Sequence, residues 1–93
     1  MSNRSISDRI FEAIEAFEAG KSSAFMVNES IEVHSPAFEG VPRILIHKLN
    51  EAGYTLLIED TSDLEREELG FPNRTAENIR NVKEALHAIF SLT

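Results

Sequence analysis

Apolar residues recur at helical spacing at the two ends of this chain. Ile6, Ile10, Ala13, Ile14 and Phe17 share one side of a 3.6-residue period, with Glu12, Glu15 and Glu18 opposite them. Ser5 and Asp8 have the spacing of a capping box, and Gly20 is placed to end this helix. Phe11 lies off the stripe and reads as the edge of a wide buried face. Near the other end, Ile79, Val82, Leu86, Ile89 and Phe90 form a second stripe. Thr75 suits its N-cap, and Glu77 suits the positive end of its dipole.

The middle of the chain reads differently. Ala24–Val27 and Ser30–Val33 are short β-prone runs on either side of Asn28-Glu29, the pattern of a hairpin. Pro36 breaks the second run, and Ser35 to Gly40 reads as a loop in which Phe38 either folds over the core or stands exposed. From Val41 to Asp60 the pattern predicts a helix, a glycine stop and a buried strand. Val41, Ile44, Leu45, Lys48, Leu49 and Ala52 share the helix face, Pro42 suits the first turn and Gly53 the end. Tyr54 to Ile58 has the aromatic, β-branched and leucine content of a strand. Ile46 falls off the face, which implies either a helix covered on two sides or a segment that is not this helix. A hairpin pairing residues 43–49 with 54–59 is the rival reading, and its side chains alternate poorly. Ser62 and Glu65 predict a short helix to Leu69, followed by a turn at Gly70–Asn73 with Phe71 against the core. The expectation is a single domain over residues 1–93: a two-layer α+β fold with a small three-stranded sheet. Its order is N-terminal helix, hairpin, helix, strand, short helix, C-terminal helix.

Charge changes the picture more than composition does. Sixteen acidic against 9 basic residues give a net charge of −7. That disfavours direct contact with nucleic acid or an anionic membrane and suits either solubility or a basic partner. At 42% hydrophobic and 27% charged, the chain has globular composition. It holds no cysteine, so disulfides and thiolate chemistry are excluded. No apolar run approaches the roughly 18 residues of a membrane span, and MSNRSISDRIFE has no apolar signal core, so a cytoplasmic location is expected.

No motif for catalysis or a cofactor stands up. Gly20-Lys21-Ser22 resembles the end of a phosphate loop, but Glu15 occupies the position that needs a glycine. His34, His47 and His87 are scattered without metal-ligand spacing. Glu59, Asp60 and Asp63 gather at the end of the expected strand, where a divalent cation or small ligand is conceivable; a solvated turn is the plainer reading. Glu59, Asp60, Asp63, Glu65, Glu67 and Glu68 against Arg66 make the one uneven stretch of charge.

These features point to a small non-enzymatic protein-binding or regulatory module with no cofactor and no metal. Its acidic segment would steer a partner with a basic patch, with Phe38 or Phe11 as an anchor. A sharper form is an inhibitor that mimics nucleic acid and occupies a nucleic-acid-binding protein. The alternatives are a homo-oligomeric structural protein, a homodimer being the simplest case, and a ligand- or metal-binding domain built on Glu59-Asp60-Asp63.

Overall fold

Ser2 begins the first helix and Gly20 ends it. The Ser2 hydroxyl accepts the Ser5 N–H at 3.1 Å, so the cap sits three residues earlier than the Ser5–Asp8 pair suggested. At the other end Lys21 N–H reaches the Ala16 carbonyl and Gly20 N–H the Phe17 carbonyl, the paired bonds of a Schellman stop. That stop needs a left-handed residue, and Gly20 supplies it at φ 74°. The computed structural model describes residues 2–61 and 74–92, Thr61 by its backbone only. These residues form four α-helices: α1 (Asn3–Glu18), α2 (Ala24–His34), α3 (Arg43–Thr61) and α4 (Thr75–Phe90), with a 3-10 turn at Ser35–Ala37.

The expected α+β sheet is overturned, since no strand occurs among the described residues. Residues 24–33 are helix α2 and not a hairpin. The Ser23 hydroxyl accepts the Met26 N–H and caps it. The His34 ring donates from Nδ1 to the Ser30 carbonyl at 2.8 Å, satisfying an acceptor at the far end. Helical geometry gathers Ala24, Val27 and Ile31, spaced i, i+3, i+7, on one buried face. The β preference of Val and Ile is worth at most ~0.7 kcal/mol per residue. Burying each of those side chains is worth about 1.5–3 kcal/mol, so packing decides.

Gly53 does not stop the central helix, and Tyr54–Ile58 continues it as helix, which excludes the rival pairing of 43–49 with 54–59 as well. A glycine there costs α3 about 1 kcal/mol relative to alanine. What it permits is the crossing of α2. A Cβ on Gly53 would lie 2.7 Å from Ile31 Cδ1 and 3.2 Å from Asn28 Oδ1. Leu49 and Leu56, one turn to either side, are both fully buried. The inward face is therefore centred on Leu49, Gly53 and Leu56, with Leu45, Ile46 and Ala52 half-buried at its margins. Compared with the expected face it is rotated, and Ile44 and Lys48 turn out to solvent.

The two terminal helices match their stripes. Ile6, Ile10 and Ile14 on α1, and Ile79, Val82, Leu86 and Ile89 on α4, are buried, while Phe17 and Phe90 are half-buried. Arg74, not Thr75, precedes α4, and its side chain makes no capping bond. Helix α1 packs on α2 and α4, and α3 packs on the same two, so the four inner faces share one core. The short helix expected over residues 62–69 and the turn at 70–73 lie outside the described residues.

Candidate functional site

Of the acidic segment, Glu59 and Asp60 fall among the described residues. Glu59 sits near the end of α3 with its side chain only 15% exposed. Its Oε2 accepts from the buried Asn78 Nδ2 at 2.5 Å, and Oε1 lies 3.8 Å from Arg74 Nη1. Both bonds fasten α3 to the start of α4. This carboxylate is a clasp between helices. Asp60 is half-buried beside it. Asp63, Glu65, Glu67 and Glu68 lie outside the described residues. No group of three or more His, Asp or Glu side chains among the described residues is arranged to hold a metal ion.

Phe38 takes the first of its two expected places, folded over the core. It is 8% exposed and packs into the core. The Asn3 side chain holds it there indirectly: Nδ2 donates to the Glu39 carbonyl at 2.7 Å, and Glu39 N–H donates back to Oδ1 at 2.9 Å. That two-way bond pins the loop after the 3-10 turn to the start of α1 and turns Phe38 inward. Phe11 is half-buried and meets His87 edge to face at 5.4 Å, joining α1 to α4. The three histidines stand on three different helices.

What the helices bring together instead are two apolar outer faces. On α2, Phe25, Met26 and Val33 are 57%, 48% and 64% exposed, around Glu29 and Glu32. Met26 and Val33 line a groove of ≈ 340 Å³ against Ala13 of α1, bordered by Ser22, Glu29 and His34. On α3, Ile44 and Tyr54 are 58% and 57% exposed, and Ile58 nearly half. Between them the His47 Nε2 lies 3.2 Å from the Glu51 Oε1, both side chains in solvent. Apolar groups displayed this way keep about half of their surface in water and gain energy when another surface covers them.

A larger groove of ≈ 630 Å³ runs between α1 and α4, flanked by Phe17, Ile79, Arg80 and Lys83. Lys83 Nζ crosses it to Glu18 Oε1 at 2.8 Å, so one of its two cations is already neutralised.

None of Phe25, Met26, Val33, Ile44, Tyr54 or Ile58 stood out as a candidate in the sequence. The signal was present for α2 only once residues 24–34 are placed on a helix, where the apolar positions divide into an inner and an outer set. For α3 it was the spacing of 44, 47, 51, 54 and 58, which repeats three and four residues apart. Comparisons with protein-family models, curated proteins and solved structures find no match. No helix among the described residues is long and apolar enough to cross a membrane.

Proposed function

We propose that this chain is a small all-helical protein-binding module whose partner docks on the outer face of α2. The observation that carries the reading is the apolar set Phe25, Met26 and Val33, exposed on one side of α2 with Glu29 and Glu32 among them, Met26 and Val33 lining the groove against α1. Apolar groups interleaved with carboxylates suit an amphipathic helix that carries Lys or Arg among its apolar residues. The net charge of −7 favours the same partner at longer range and speeds encounter. Function here is binding and regulation, without catalysis or a cofactor. The cytoplasmic assignment is part of the same proposal, and cell fractionation checks it.

Glu59 bonds Asn78 and Arg74, so the docking face is placed on α2 and not on this carboxylate. The test compares the wild-type chain with a Phe25→Ser/Val33→Ser variant. Host proteins captured by wild type should be lost by the variant and weakened at high salt. A basic amphipathic model peptide, followed by fluorescence anisotropy, should bind the wild type only. Equal capture and equal peptide binding by both chains would sink the proposal.

A further inference from the structure

We propose that Glu29 selects the partner by receiving an Arg guanidinium from its docked helix; this rests on the α2 face being the docking face. On a helix the surface neighbours of residue 29 are residues 25, 26, 32 and 33. Here they are Phe25, Met26, Glu32 and Val33, and all four are exposed. Glu29 therefore stands in the middle of the apolar set, and a surface that covers Phe25, Met26 and Val33 covers Glu29 too. The two carboxylates differ. Glu32 accepts from Asn28 Nδ2 at 3.1 Å. The Glu29 carboxylate has no hydrogen bond or ion pair among the described residues. The groove that it lines with Met26 and Val33 has no Lys or Arg in its walls.

That setting decides the occupant. In the free protein water solvates the carboxylate. Under a partner it loses that water, and a buried carboxylate without a counter-charge is expensive, so the partner must bring a cation to this point. An uncharged apolar surface fails the condition, and so does an anionic one. A second copy docked two-fold through the same face fails it as well, because α2 carries Glu29 and Glu32 and no Lys or Arg. Of the two basic side chains Arg fits better. Its planar fork bonds both carboxylate oxygens, and it is more weakly hydrated than an ammonium. It also stacks on aromatic faces, and Phe25, exposed one turn before Glu29, offers one. Ala13, Met26 and Val33 in the groove take the methylene stem.

The experiment uses the full chain and three amphipathic helical peptides. They are identical except at one central position, which holds Arg, Lys or citrulline, the last an uncharged isostere of Arg. By fluorescence anisotropy the wild type should bind the Arg peptide about tenfold more tightly than the citrulline peptide, with the Lys peptide between them. Glu29→Gln should remove that preference with the far-ultraviolet circular dichroism unchanged, and Glu32→Gln should keep it. Glu29→Arg should prefer a fourth peptide with Glu at the central position. Phe25→Ser/Val33→Ser should weaken all of the first three. If the wild type binds no peptide, or this double variant binds them as well as the wild type does, the α2 reading fails and the role of Glu29 with it. If the double variant loses the peptides while Glu29→Gln still prefers Arg to citrulline, the α2 reading stands and the role of Glu29 is overturned. Equal binding of the Arg and citrulline peptides by the wild type overturns it too, since the occupant is then simply apolar. So does a dimer in sedimentation that Phe25→Ser/Val33→Ser abolishes, since a second copy then covers the face.

Discussion

The outer pair of helices and the middle pair solve the problem of solvent in opposite ways. Helices α1 and α4 keep their large apolar groups on one side, and their outward positions carry Asp8, Arg9, Glu12, Glu15, Glu77, Arg80 and Glu84. Helices α2 and α3 are apolar on two sides, one facing the shared core and one facing water. The core needs only the inner sets. The outer sets on α2 and α3 are surplus to folding, and under the proposed function such surface on α2, in a protein that carries −7 of charge, is where a partner docks. The difference teaches that one helix can divide its faces: the inner one carries stability, and the outer one is the face left in water.

The largest effects should come from the inner faces, and should be alike in both pairs. Leu49→Ala on α3 and Leu86→Ala on α4 each empty a fully buried site and should each cost about 2–5 kcal/mol in urea unfolding. A silent Leu49→Ala would mean that α3 does not share the core, and the comparison would break. Next comes the crossing of the middle pair. Gly53→Val drives a side chain into Ile31 and Asn28 and should cost about 1–3 kcal/mol, despite the better helix propensity. Stabilisation by that substitution would show that α2 and α3 do not approach as closely as 2.7 Å implies. The smallest effects on stability belong to the outer faces. Val33→Ser and Ile44→Ser should change unfolding by no more than ~0.5 kcal/mol, as should Lys83→Ala on α4. Only the first should change association. If Lys83→Ala disrupts association as well, the division between the two pairs fails.

Legibility follows the same division. On α1 and α4 each apolar residue has one job, so a single helical period reads correctly, and the buried set is the stripe seen in the sequence. On α2 and α3 two apolar faces overlap in the same residues. Ala24 to Met26 is apolar all round, which cancels the period and leaves β propensity as the only visible signal. Gly53 misleads for a related reason. Glycine ends helices when the chain needs positive φ, as at Gly20, but it also sits inside them where two backbones approach. Nothing local separates the two cases.

Of the candidate site, the sequence showed that carboxylates are abundant, a charge that suits either solubility or a basic partner. It could not show that Glu59 faces Asn78 across the α3–α4 contact, or that Asn3 holds the Phe38 loop 36 residues away.

By itself, then, the amino-acid order determined two amphipathic helices, their glycine stop, the net charge and the exclusion of cysteine chemistry. Those properties depend on neighbours within a turn or two of the chain. The helical state of residues 24–34 and 54–61, the rotation of α3, and which apolar groups are left for partners were decided only when four helices closed on one core. Burial of Val27, Ile31, Leu49 and Leu56 in that core outweighs local preferences of less than about 1 kcal/mol per residue.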